Sequence, residues 1–332
     1  MYPIPTMPEF TVPTNANIHA SWSLFESNRF FDDGDEAILR FHPKWAHVEP
    51  LALSMIAAWG AWCRRQGLPL RVENLGKHAA YAARMKLFQH LGIDFDPGVQ
   101  EYEESGRFLP LTQVKTQADS TDAIANISAM LHLQHDPDSL AAVQFCISEL
   151  LRNVLEHANS EDGAFVSAHR FAEKGIHRVT IAVADCGQGI PAHLARAHPE
   201  AASDDTIAIG LAMQPGITGA RAGNYGTPDN AGAGLYITRS IAKGTGGYFL
   251  LASGNAAYRL KRSLSPDDMT ELYPDPYVDP RGDRWTFDSS WLGTVVSVEI
   301  RTETIAHYEN FFEWIFKQMP SRRSAVRRIQ FT

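Results

Sequence analysis

Glu149, Asn153 and His157 stand at i, i+4 and i+8 of "ELLRNVLEHA". On an α-helix that spacing makes one polar stripe. Ile147, Leu150, Leu151, Val154 and Leu155 surround it, so the pattern predicts a largely buried helix carrying a carboxylate and a carboxamide in line. An acid and an amide oxygen one turn apart suit a hydrated Mg2+, a hard ion that takes oxygen ligands and keeps its waters. The same stripe also fits an ordinary solvated face.

A second stretch, "DCGQGI" (185–190), leaves the strand-like run "HRVTIAVA". Asp185 at the end of a buried strand can accept a hydrogen bond from an exocyclic amine such as that of adenine. Gly187 and Gly189 carry no side chains, so a flat ring can lie against the backbone. A plain strand-to-loop turn also accounts for the motif. In "NAGAGLYITRSIA" (230–242), Gly232 and Gly234 directly precede a helical pattern. Backbone N–H groups at a helix N-terminus suit phosphate, although helix–loop packing explains many such pairs. In "GTVV", Thr294 opens a buried strand and offers a hydroxyl to a pocket.

The elements that must position these residues follow from periodicity. "EAILRFHP" and "LPLRVENL" read as strands; "VEPLALSMIAAWGAWCRRQG" and "AAYAARMKLFQHLGI" read as helices. The alternation over 36–95 implies a small β-α-β-α unit with parallel pairing. Residues 1–35 read as a surface arm, and 96–120 as a linker. Helices are expected at 122–134 and at 138–157, the second with Asp136 as N-cap and Pro137 at N1. "GAFVSAHRFAEKGIHRVTIAVADCG" reads as a hairpin. Residues 191–231 form a long Gly-rich loop with room for one helix. Strands "YFLLAS" and 293–300 flank a Pro/Asp-rich excursion at 262–284. The chain closes with the aromatic helix "ETIAHYENFFEWIFKQM" and a tail bearing Arg322, Arg323, Arg327 and Arg328. Core packing explains the helix's Phe311, Phe312, Trp314, Ile315 and Phe316; a homodimer or partner surface is its alternative use.

Bulk composition narrows the classes. The 332 residues suffice for two domains, and the apolar fraction of 44% supports a sizeable core. Thirty basic against thirty-eight acidic residues, a net charge of −8, argue against a general nucleic-acid binder. Three cysteines, Cys63, Cys146 and Cys186, are too few and scattered for a disulfide framework or zinc site. The N-terminus lacks the regions of a signal peptide, and the apolar run 51–63 is too short to span a bilayer. A cytoplasmic protein with no membrane association is expected.

The order of the four motifs, E-x-x-x-N on a helix, D-x-G-x-G after a strand, G-x-G-L opening a helix and G-T opening a strand, resembles the GHKL superfamily of ATPases and kinases. "ELLRNVLEHA" looks like its N-box, "DCGQGI" its G1 box and "NAGAGLYI" its G2 box, over about residues 122–302. The resemblance implies a Bergerat α/β sandwich, a mixed sheet with helices on one face, binding ATP and Mg2+ without a P-loop; no P-loop motif is present. It implies that Asn153 ligates Mg2+ and that Glu149 is the catalytic base or water-orienting carboxylate. Asp185, helped by Thr294, would bind the adenine amine, with Gly187 and Gly189 lining the base. Gly232, Ala233, Gly234 and Leu235 would offer N–H groups to the phosphates, and residues 191–231 would form the ATP lid.

The chain departs from a histidine kinase in showing no convincing phosphoacceptor histidine ahead of the ATPase segment, so autophosphorylation is not expected. The unit ahead of it resembles a STAS-like domain through its β-α-β-α order and "ARMKLFQHLGI". Its segment "ENLGKHAAY", however, has no Ser or Thr where antagonists of that kind carry one. The resulting division is an arm (1–35), a STAS-like domain (36–110), an ATPase domain (120–302), and a C-terminal helix with basic tail (303–332). The expected activity is slow ATP hydrolysis or phosphotransfer to a regulatory protein partner. The alternative is a non-catalytic switch in which nucleotide orders the lid.

Overall fold

The structure is a computed structural model. It describes residues 7–26, 28–98, 108–130, 136–173, 175–217, 219, 232–262, 265–304 and 308–319. The four tail arginines and most of the Gly-rich end of the expected lid, including Gly223 and Gly226, lie outside them.

The N-terminal unit starts earlier than the sequence pattern suggests. β1 (Glu9–Val12) pairs in parallel with β3 (Ala37–Phe41), which pairs in parallel with β5 (Leu70–Glu73). Between them lie a short parallel pair, β2 (Asn15–Ala16) with β4 (His47–Val48), and α1 (Trp22–Glu26). The stretch expected as a surface arm is therefore built in: Phe10, Val12, Phe25 and Phe30 are fully buried. Its Pro and Asn residues hid a four-residue strand whose Phe10 and Val12 point one way, as strand alternation requires.

α2 (Pro50–Arg65) links β3 to β5. It begins with Pro50 at its first turn and is apolar on nearly every side, as befits a helix covered all round. The expected second helix is two short ones, α3 (Ala80–Arg84) and α4 (Leu87–Leu91), broken where Lys86 adopts φ +62° and closed by Gly92 at φ +70°.

The second sheet has the order β6-β7-β8-β10-β9. Its strands are β6 (Phe108–Val114), β7 (Ala164–Glu173), β8 (Ile176–Ala184), β9 (Tyr248–Leu260) and β10 (Gly282–Arg301). All four pairings are antiparallel, where a mixed sheet was expected. β6 lies inside the expected linker. The last strand is also far longer than 293–300, because β10 starts within the Pro/Asp-rich excursion and folds back along β9.

Alternation sorts this sheet into two buried faces. Val166, Val179, Ile181, Val183, Val296 and Val298 meet α5 (Gln117–Met130), α6 (Pro137–Asn153) and α9 (Gly234–Gly244). Phe165, Ala182, Ala184, Leu250, Ala252 and Val295 face the N-terminal unit. Helices on one face were expected; here α2 covers the other. Ser54 on α2 donates to the Ala182 carbonyl at 3.1 Å and contacts the Ser167 hydroxyl at 3.2 Å, while Ser167 donates to the Pro50 carbonyl at 3.2 Å. The small side chains of Ser167, Ala182 and Ala184 let the helix come this close.

The remaining helices are α7 (Gly189–Leu194), α8 (Asp205–Ala212), α10 (Pro266–Thr270) and α11 (Tyr308–Gln318). α11 is used as core. Ile315 is fully buried, Phe312 meets Phe145 of α6 edge-on at 4.8 Å, and Phe311 and Trp314 pack over Gly244. Lys243 and Asp279, both almost fully buried, pair at 2.6 Å and pin the excursion onto α9.

Because α2 is shared by both sheets, the two units should unfold together. Trp59 is fully buried and its indole donates to the Phe30 carbonyl at 2.6 Å. Trp59→Ala should cost about 3–5 kcal/mol. Hydrogen exchange should then accelerate in β8 as well as in β3; acceleration confined to β3 would show two independent units.

Candidate functional site

α6 carries the first motif and reaches all the others. Asp136 caps it, its carboxylate accepting from the Ser139 N–H at 3.1 Å, and Pro137 occupies N1, as the sequence predicts. Past Asn153 the helix widens into one π-helical segment, Val154–Ala158, and ends with Asn159 at φ +49°. Such bulges recur at functional sites.

The end of this segment touches the Asp185 loop. The Gln188 N–H donates to the Ala158 carbonyl at 2.7 Å, and a Cβ on Gly187 would lie 2.1 Å from that oxygen. More than two turns further back, Glu149 lies against the start of α9, where a Cβ on Gly234 would stand 2.3 Å from Glu149 Oε2. The two glycines are therefore required by close approach. The N-box-like helix, the G1-like loop and the G2-like helix start come together around α6.

Asp185 is 1% exposed. Its Oδ1 accepts from the Gly187 N–H at 2.7 Å and its own N–H donates to the Thr294 carbonyl at 3.0 Å. Its Oδ2 is buried without a hydrogen-bond partner among the described residues. Burial pushes the carboxyl up to about 7, against the opposing pull of the Gly187 and Thr294 backbones. Around it the chain consists of glycine where it approaches most closely. Gly189 (φ +75°) lies under Ser253 and Gly293, and Gly293 (φ +86°) would place a Cβ 2.5 Å from Asp185 Oδ1. Ser253 ties the two, accepting from the Ile190 N–H at 2.9 Å and donating to the Gly293 carbonyl at 2.6 Å.

Thr294 is half-buried, and alternation puts its side chain on the same sheet face as Val296 and Val298, the α6 side. Asn153 is half-buried at the junction of the α-helix and the π-helical segment. Glu149 is buried and pairs with Arg152; burial raises its carboxyl, the Arg152 charge opposes that and Glu156 adds to it. His157 is exposed, with its ring 4.8 Å from that of His193 at the start of the lid segment.

α9 begins at Gly234 with Ala233 as N-cap, a residue with no side-chain acceptor, so no side-chain cap bond takes up its first N–H groups. Gly232 (φ +75°) accepts from the Gly216 N–H at 3.0 Å, which joins the end of the lid to the helix start. Leu235 is half-buried on the first turn. Within the lid, α7 and α8 give residues 189–212 more helix than the single one expected. No group of three or more His, Cys, Asp or Glu side chains placed to hold a metal occurs among the described residues. All three cysteines are free and buried, and no described helix is long and apolar enough to cross a membrane.

Residues 115–245 match the family model of the histidine kinase-like ATPase domain. The matched stretch runs from the start of α5 to the start of the turn after α9. It contains all the candidate site residues except Thr294, which lies on β10 beyond it. No curated protein and no solved structure matches the chain. The match supports ATP binding in a regulatory role and agrees with an α/β domain of the GHKL type.

Three contributors escaped the sequence reading. Arg152 was not singled out, and Ser253 lies in a strand with no motif. Ala158 acts through its carbonyl alone. Gly293 stood in the "GTVV" motif, where only Thr294 was given a role.

A buried, unpartnered carboxylate weakens the unligated fold. Asp185 has an ordinary value near 3.9 when unfolded and about 7 when folded. Its contribution to stability is therefore fully present below pH 3.9 and is lost as pH rises through 7. In nucleotide-free protein, Asp185→Asn should raise the Tm by several degrees at pH 8 and by nothing near pH 3.5. A thermal-melt series across pH checks both ends.

Proposed function

We propose that the chain binds ATP in the pocket bounded by α6, the Asp185 loop, the start of α9 and β10, and that it hydrolyses the nucleotide slowly or passes its phosphate to a regulatory protein partner. One observation carries the reading: Asp185 Oδ2 is a buried acceptor without a donor, at a place where the neighbouring backbone is stripped to glycine. A buried polar atom needs a partner, and the exocyclic amine of adenine is a donor of the right kind. Gly187 and Gly189 let the loop close against Ala158, Ser253 and Gly293 beside the base.

In this reading Thr294 adds a hydroxyl to the base end. Gly232, Ala233, Gly234 and Leu235 offer backbone N–H groups to phosphates at the positive end of α9. Asn153 would hold Mg2+ through its amide oxygen, an oxygen ligand of the kind that ion takes. Bound Mg2+ neutralises charge on the transferring phosphoryl group. Glu149, with a raised carboxyl pKa and a place beside the α9 start, orients the attacking water or hydroxyl. The N-terminal unit, STAS-like in its strand–helix order, serves as the partner-docking or regulatory part.

A second reading, a non-catalytic switch, draws on the Arg152–Glu149 pair, which engages the proposed base. Nucleotide would then act only by selecting a lid arrangement. Glu149→Ala separates the two: the enzyme reading expects nucleotide binding to survive and turnover to vanish. A wild type with neither turnover nor phosphotransfer favours the switch.

The direct test is a titration of ATP with and without Mg2+ on wild type and Asp185→Asn. The variant should lose its preference for adenine over guanine nucleotides, and the wild type should bind more tightly with Mg2+. Because the ionised carboxylate is the form that accepts from the amine, wild-type affinity should fall about tenfold per pH unit below about 7. Asp185→Asn should show no such slope. A pH-independent wild-type affinity would remove Asp185 from base recognition.

A further inference from the structure

β10 does not run straight past the Asp185 loop. Its pairing with β9 slips twice, between Thr286 and Trp291 and between Trp291 and Thr294. Bulges of this kind re-aim side chains. This one turns the Trp291 indole beneath Asp185. Nε1–H donates to the Asp185 carbonyl at 3.0 Å, and Trp291 is 1% exposed. The Asp185 N–H is held by the Thr294 carbonyl and Oδ1 by the Gly187 N–H. Every polar atom of residue 185 is thus fixed except Oδ2, the one left to receive a ligand.

The indole is itself backed by the N-terminal unit. Its ring meets Phe30 edge-on at 5.0 Å and Phe31 at 5.5 Å. Phe30 is anchored in turn, its carbonyl accepting from the Trp59 indole and its N–H donating to the Ser289 hydroxyl at 3.3 Å. A buried tryptophan needs some acceptor. Here the acceptor belongs to the residue whose buried Oδ2 the nucleotide reading assigns to the base, and a recognition group must be held to within a fraction of an ångström by its supporting contacts.

We propose that Trp291 is a positioning residue for base recognition: its indole N–H fixes the Asp185 peptide so that Oδ2 faces the ligand, and Phe30 and Phe31 hold the indole in place. The inference rests on the nucleotide reading above. It gives the segment before β3 a role in the affinity and selectivity of a site on the other sheet.

The test uses the full chain labelled with 15N and titrated with ADP, following the Trp291 indole resonance assigned from its own backbone. The Trp291 resonance should move and saturate along the binding isotherm, while that of Trp45, which is 59% exposed, stays put. Trp291→Phe keeps a buried aromatic ring while removing the N–H together with part of the indole's bulk. It should weaken ADP about tenfold and shrink the ADP-over-GDP preference by a similar factor. Phe30→Ala, which leaves the donor in place, should reduce the preference less. A stationary Trp291 resonance in ADP-saturated wild type would overturn the inference. So would a Trp291→Phe protein with lowered Tm and an unchanged ADP-to-GDP ratio. A wild type indifferent to ADP overturns the nucleotide reading and this inference with it.

Discussion

One carboxylate oxygen, Asp185 Oδ2, is buried with nothing to bond, and much of the surrounding structure is arranged to keep it there. A strand of alternating apolar residues, β8, delivers Asp185 to the end of the sheet. Glycines at 187, 189 and 293 allow the backbone to close around it, two of them at positive φ. An unpaired buried acceptor costs about 1–3 kcal/mol, and functional sites are where folds carry such costs. The unligated fold is less stable than its packing alone would make it, and a donor at Oδ2 restores the difference.

α6 is the element that brings the rest to that carboxylate. Its Glu149 lies against the start of α9, and its π-helical end meets the Asp185 loop through the Ala158 carbonyl. Glu149 and Gly187 are far apart in sequence from Gly234 and Gly293, yet each makes a contact only possible where a side chain is missing. The sheet passes the same constraint to its other face. There α2 and the Phe30–Trp291 contacts stand behind the loop, so the N-terminal unit is part of the platform on which the site is built.

The chemistry-bearing segments were legible because they are local. Asp136–Pro137 announced the start of α6, "TIAVA" a buried strand, and Gly234 a helix beginning. The surroundings were less legible for physical reasons. β1 is four residues among Pro and Asn, with only Phe10 and Val12 to signal it. β6 follows polar sequence and carries Pro110, which hid a strand whose Phe108, Leu109 and Leu111 are buried. The break at Lys86 depends on a left-handed backbone that a lysine does not advertise. That α2 would cover the second sheet face was written in its all-round apolar character, but its partner surface, small residues such as Ser167 on β7 and Ala182 and Ala184 on β8, could be recognised only once the strands were paired. Arg152 and Ser253 act through contacts across the fold, which no local pattern encodes.

The central claim is spatial: segments around 149–158, 185–190, 232–235 and 293–294 enclose one purine nucleotide. Hydrogen exchange of the full chain with and without saturating Mg–ADP tests it in a single measurement. The account predicts that amides of the Asp185 loop, the start of α9, the end of α6 and the Gly293–Thr294 bend gain protection together, at one ADP concentration. Protection confined to one of these segments, or appearing elsewhere while Asp185 and Gly234 exchange as before, would contradict it.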